Sequence, residues 1–65
     1  MQIDLNPDLK NLPEGTVLVK LRNAQGQERD VLARCQDTIE ARNAVEAVLP
    51  GCTIISATMI LAPFA

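Results

Sequence analysis

Residues 16–35, TVLVKLRNAQGQERDVLARC, decide the fold of this chain. Two runs rich in apolar residues flank the turn-forming segment 23–27, and this arrangement predicts a β-hairpin over 16–35. If Asn23 pairs with Gln27, the short loop between them places Gly26 at the left-handed backbone position of the turn. Glycine occupies that position without steric cost, so the segment favours a tight hairpin.

One register of this hairpin satisfies both its apolar and its charged positions. In that register apolar residues oppose apolar residues and basic residues oppose acidic ones, which stabilises neighbouring strands. A slip of one residue would place Val19 against Asp30, so the side-chain pattern selects the register. The predicted pairs are Val17 with Ala33, Leu18 with Leu32, Val19 with Val31, Lys20 with Asp30, and Arg22 with Glu28.

Residues 37–49 are predicted to form a helix. Asp37 is a suitable N-cap, with Glu40 three residues further on, and Pro50-Gly51 ends the segment. The small apolar residues recur at helical spacing, so one face of the helix can lie close to a sheet. That face carries Ala41, Ala44, Val45 and Val48.

Strand-like alternation returns in residues 52–61, which are predicted to form the last strand. Its expected core side carries Ile55, Ala57, Met59 and Leu61, and Ile54 and Ile60 fall on the opposite side. Residues 1–15 are predicted to form an amino-terminal arm or loop. The alternation in residues 1–5 indicates a short edge strand or an extended arm, and Leu9 and Leu12 would attach the segment to the sheet.

The predicted order of elements is (β)ββαβ within a single domain of residues 1–65. Short connections on either side of the helix predict a right-handed crossover, with the last strand parallel to the second arm of the hairpin. We therefore expect an α+β fold, a two-layer sandwich in which one helix packs on one face of a small mixed β-sheet.

The same crossover separates Cys35 from Cys52, because a helix of about 12 residues rises about 18 Å between them. A disulfide needs Cα atoms within about 7 Å, so both thiols are expected to be free.

The composition argues against several classes of function. The 65 residues include six Lys/Arg against eight Asp/Glu, a net charge of −2, one Phe, and no His, Trp or Tyr. A histidine base or imidazole ligand is therefore absent. Phosphate neutralisation and base stacking are poorly supported, so nucleic acid is not the expected partner. The carboxylates do not converge, and neither cysteine has an activating neighbour. We expect no enzyme activity, no catalytic residue, no metal and no cofactor.

The chain is expected to be cytoplasmic. A secretory signal has a basic region followed by an apolar run, and the first seven residues contain neither. Residues 47–65 carry no charge, but Pro50-Gly51 interrupts them and leaves a segment too short to span a membrane. In the reducing cytoplasm both cysteines would stay as thiols.

A single helix covers only one face of the sheet, so the other face is the candidate for contact with a partner. A contiguous apolar patch with a charged rim is typical of an interaction site. We therefore predict a small non-enzymatic protein-interaction module, an adaptor or inhibitor-like accessory protein of a bacterium or phage, that binds a protein partner or itself as a homodimer. The predicted interaction face comprises Leu18, Leu32, Ile54 and Ile60 with Lys20, Arg22 and Arg34.

Other interpretations remain open at this point. The amino-terminal arm, or the carboxyl-terminal tail with Phe64, could itself fold over this face. The basic residues of the hairpin, Arg29 included, could mark a domain associated with nucleic acid. The chain could also be a non-catalytic subunit that completes an enzyme at an interface.

Overall fold

A computed structural model describes residues 2–61 of the protein, and it confirms the α+β two-layer fold. A four-stranded sheet forms one layer and a single helix packs against it as the other. The expectations for Met1 and Phe64 lie outside the described residues. The elements are β1 (Ile3–Asp4), β2 (Val17–Arg22), β3 (Glu28–Ala33), α1 (Thr38–Val48) and β4 (Thr53–Met59).

The β2–β3 hairpin forms in the predicted register. Its pairs run without interruption from Val17 opposite Ala33 to Arg22 opposite Glu28. The apolar pairs of this register occupy the middle of the sheet, where both strands have neighbours on each side. The hairpin is therefore the centre of the fold.

Asn23 holds the turn of this hairpin together. Its N–H donates to the carbonyl of Gln27 at 2.9 Å, as the predicted pairing requires. Its side-chain oxygen also accepts the backbone N–H groups of Gln25 and Gln27, both at 2.9 Å. Gly26 has φ of +83°, the left-handed conformation expected at this position.

The strand order is β1-β3-β2-β4, and every neighbouring pair is antiparallel. The prediction of a mixed sheet is therefore wrong in that detail. β4 does run in the same direction as β3, as predicted, because both strands are antiparallel to β2. However, β4 pairs along the free side of β2, and β1 pairs with the other side of β3, so no two neighbours are parallel.

A β-bulge in β4 changes which side chains of this strand face the helix. Lys20 pairs with Ser56, but the next residue of β2, Leu21, pairs with Ile54, so Ile55 is the extra residue. Ile54 consequently packs against the main core, and Ile55 is 47% exposed. The predicted face of Ile54 is therefore wrong, and Ile55 is not part of the core as predicted, because the bulge interrupts the alternation along the strand.

Helix α1 begins as predicted after Asp37, whose side chain accepts the Ile39 N–H at 2.8 Å. Ala41 and Val45 are fully buried against the sheet. Val48, in the last turn, is half exposed although it follows the same periodicity. The core between the helix and the sheet consists of Val17, Val19, Leu21, Val31, Ala33, Cys35, Ala41 and Val45.

Candidate interaction surface

The second face of the sheet, which is the face turned away from α1, is closed at its apolar centre. Leu32 and Ile60 are only 2% and 5% exposed there, because Leu12 of the amino-terminal arm packs on them. Leu18 is partly buried against the same group. We call these four residues the Leu12 cluster. Within residues 2–61, the amino-terminal arm is the segment that covers this patch, as one of the interpretations from the sequence expected.

Residues 13–16 and the end of β4 hold the arm in place. Thr16 is buried, and its hydroxyl donates to the Pro13 carbonyl at 2.7 Å. Ile60 donates its N–H to the Thr16 carbonyl at 2.8 Å and accepts the Gly15 N–H at 2.9 Å. Leu9, the other leucine expected to attach the arm, is 49% exposed and does not belong to the Leu12 cluster.

The residues of the predicted interaction face therefore lie in three different environments. Leu18, Leu32 and Ile60 belong to the Leu12 cluster, whereas Ile54 packs on the helix side of the sheet. The three basic residues Lys20, Arg22 and Arg34 are exposed. The structure thus brings together Leu18, Leu32 and Ile60, and within residues 2–61 Leu12 closes the apolar patch that they form.

The basic residues of the hairpin do not form one positive surface. Lys20 Nζ lies 3.7 Å from Glu28 Oε1, and an Arg22 guanidinium nitrogen lies 3.4 Å from Glu28 Oε2, so these two cations share one carboxylate. Arg34 follows the opposite end of β3, separated from Glu28 by the length of a strand at about 3.3 Å per residue. This separation gives little support to a nucleic-acid surface.

β4 forms an outer edge of the sheet, and its outer side has no neighbouring strand among residues 2–61. Its sequence, TIISATM, contains no charged residue and no proline. Natural proteins usually protect such an edge with charge, proline or a very short strand, because unpaired backbone groups there can pair with another chain. The opposite edge is protected in this way, since β1 has only two residues and includes Asp4.

Hydrogen-bond alternation identifies the outward backbone groups of β4. Asn23 is hydrogen-bonded to Gln27 across the turn, so the backbone N–H and C=O groups of the odd-numbered residues of β2 point toward β3. Those of the even-numbered residues point toward β4. Because Ser56 and Thr58 lie opposite even-numbered residues of β2, their backbone N–H and C=O groups point toward β2. The N–H and C=O groups of Ala57 and Met59 therefore point out of the sheet. We call the outer side of residues 55–61 the β4 edge.

Two apolar side chains lie at the ends of the β4 edge. Ile55, at the bulge, is 47% exposed, and Leu61 is 80% exposed. Between them Thr58 is exposed, whereas Ala57 and Met59 are partly buried against the core. The edge thus combines exposed apolar surface with backbone groups that no strand within residues 2–61 pairs.

Comparisons of this chain with protein-family models, curated proteins and solved structures found no match. The candidate surface is therefore defined by the chain's own geometry.

A groove of about 620 Å³ lies on the helix side of the sheet, between the carboxyl end of α1, the hairpin turn and the arm. Its apolar lining includes Leu5 and Val48, both about half exposed, and its charged lining residue is Arg29. Arg29 already donates to the Gln27 side chain at 3.2 Å. The groove has room for a small molecule.

The structure also places the side chains of residues 2–61 that could bind a metal ion or react as thiols. No group of three or more Cys, Asp or Glu residues within 2–61 is placed to hold a metal ion. Cys35 is buried and directs its thiol to the Asp37 carbonyl at 3.4 Å, and Cys52 is partly buried. Both are free thiols. Within the same residues, α1 falls well short of the length needed to cross a membrane.

Sequence reasoning missed the β4 edge because the place of the last strand in the sheet depends on long-range packing. A signal for it was nonetheless present. An uncharged strand such as residues 53–59 becomes an open edge once it is the last strand of a sheet.

Proposed function

We propose that this chain is a small non-enzymatic protein-interaction module that binds an extended polypeptide strand at the β4 edge. The observation that carries this proposal is an uncharged outer strand whose Ala57 and Met59 backbone groups point away from the sheet. Strand addition supplies hydrogen-bond partners for such groups and is a common mode of peptide recognition.

The contact site that we propose lies at the border of the second face, whereas the sequence predicts it at the apolar centre of that face. Leu12 already occupies the centre, so a partner would gain little apolar contact there. At the border, Thr58 and Ser56 are exposed beside the outward backbone groups, and Lys20 lies one strand further in. A strand added to the β4 edge would place its own side chains next to these residues.

The substitution Ala57→Pro tests the proposal, since proline removes an outward N–H and leaves the hydrogen bonds of Ser56 and Thr58 to β2 in place. Proline is tolerated on edge strands when its nitrogen faces solvent. Ala24→Pro is the matched control, because Ala24 is an exposed residue at the second position of the hairpin turn, where proline is favoured.

The experiment captures binding proteins from the source cell with the tagged parent, identifies them by mass spectrometry and measures the Kd of the purified partner. Circular dichroism first verifies that both variants are folded. We expect Ala57→Pro to weaken binding by about tenfold or more, which corresponds to about 1.4 kcal/mol, and Ala24→Pro to leave it unchanged. A folded Ala57→Pro protein that binds as tightly as the parent would show that the β4 edge is not the site.

A further inference from the structure

We propose that the strand added at the β4 edge is β4 of a second copy of this chain, antiparallel to the first and related to it by a twofold axis at Thr58. This inference rests on the proposed function and names its partner. In this arrangement Thr58 opposes the partner's Thr58, and Ala57 opposes the partner's Met59.

The backbone pattern of the β4 edge suits this pairing. Ala57 and Met59 both direct their N–H and C=O groups outward. Ala57 of each copy can therefore form a hydrogen-bonded pair with Met59 of the other copy. Thr58 occupies the intervening non-hydrogen-bonded position, where opposing side chains approach most closely. Paired threonines at such positions stabilise antiparallel strands.

The exposed apolar residues select this register among those that the backbone allows. With the axis at Thr58, Leu61 lies opposite the partner's Ile55, and the same contact is repeated at the other end of the pair. These are the side chains left 80% and 47% exposed in the single chain. A register centred on Ala57 would instead oppose Ile55 with Met59, which is already partly buried against the core, and Leu61 with Thr53, so the two exposed apolar side chains would not meet.

Charge also favours a second copy. Residues 53–61 contain no Asp, Glu, Lys or Arg, so the twofold pairing sets no like charges against each other. The opposite edge of the sheet is unsuitable for the same contact, because β1 is short and Asp4 would face another carboxylate near a twofold axis. Self-pairing is therefore directed to one edge only.

The resulting dimer has one continuous antiparallel sheet that doubles the four strands of a single copy. A twofold axis perpendicular to the sheet keeps both helices on one face and both Leu12 clusters on the other. A domain of this size buries a small core by itself, and association is a common means of stabilising it.

Opposite charges at the axis provide the test. A dimer of Thr58→Lys would place two ammonium groups opposite each other, and a dimer of Thr58→Glu would place two carboxylates opposite each other. In an equimolar mixture of the two variants, a mixed dimer would place one ammonium group opposite one carboxylate. Thr53→Lys is the matched control, because Thr53 is an exposed threonine of the same strand on the far side of the bulge. Sedimentation equilibrium at several concentrations gives the mass and the dimerisation constant of each protein.

We expect the parent and Thr53→Lys to form dimers, each single Thr58 variant to lose about tenfold or more in dimerisation constant, and the mixture to recover it. Circular dichroism verifies folding of every variant. Amide hydrogen exchange at Ala57 and Met59 reports the pairing directly, since these N–H groups are slow to exchange only when a strand covers them. We expect slow exchange in the parent and fast exchange in Thr58→Lys.

Three results would overturn the inference: a parent that stays monomeric, a dimer that Thr58→Lys leaves intact, or a mixture that fails to recover what each variant loses. The proposed function fails separately. If the parent is monomeric but Ala57→Pro still weakens binding of a different purified partner, the β4 edge is an interaction site for another chain and only self-pairing is wrong.

Discussion

Asn23 and Gly26 show how single residues set the centre of this fold. The Asn23 side chain accepts two backbone N–H groups of the turn, and Gly26 supplies the positive φ that the loop requires. Both roles follow from local chemistry, so the sequence predicts them without knowledge of the rest of the molecule. The register of the whole hairpin then follows from the turn.

The substitution Gly26→Ala is expected to lower the free energy of unfolding by about 1–2 kcal/mol. An added Cβ would meet no atom within 4 Å, so the cost arises from the backbone conformation at φ +83° and not from a clash. Urea denaturation measures the change. Gly26→Asn is the control, because asparagine adopts this conformation more readily, and a loss as large as that of alanine would contradict this explanation.

Ile54 and Ile55 show the limit of residue-level prediction. Alternation along residues 52–61 assigns Ile55 to the core and Ile54 to the opposite side, whereas Ile54 packs against the core and Ile55 is half exposed. Nothing in the local pattern marks the extra residue. The bulge depends on how β4 pairs with β2, which is a contact between distant parts of the chain.

At the level of elements, the amino-terminal arm is a structural part of the sheet's second face. Leu12 is 2% exposed and completes a small core with Leu32 and Ile60, whereas Leu9 is half exposed and lies outside that core. The sequence predicts that both leucines attach the arm, and in the structure only Leu12 belongs to this core. The choice depends on Gly15 and Thr16, whose backbone groups bind Ile60 and so fix where the arm crosses the sheet.

Leu12→Ala is expected to destabilise the protein by about 2–5 kcal/mol, because it leaves a cavity over the second face. Leu9→Ala should have little effect on stability. Thermal and urea unfolding compare the two variants. If Leu12→Ala does not fold, Leu12→Met retains most of the volume and should cost less than about 1.5 kcal/mol. Equal losses for the two alanine variants would show that the arm is not held through Leu12.

For the whole molecule, the parts that sequence predicts are those made by neighbours in the chain. The hairpin, the Asp37 cap and the helix are local, and all three agree with expectation. The antiparallel character of the sheet and the exposure of the β4 edge depend on the pairing of β4 with β2, which joins distant parts of the chain. The sequence therefore predicts an interaction site on a face of this sheet, whereas the site that we propose lies at its edge.

The strand order also determines how the chain reaches its native state. The two central strands, β2 and β3, are joined by the shortest connection between strands, so their contacts have the lowest sequence separation of any strand pair. An isolated hairpin forms in about 1–10 μs. β4 must close a much longer segment before it reaches β2. We expect substitutions in the turn, such as Gly26→Ala, to slow folding, and substitutions in β4 mainly to speed unfolding, as the two arms of a chevron plot would show. The strand that completes the native sheet would thus be the last to join it, and every folding molecule would pass through a state in which β2 is uncovered.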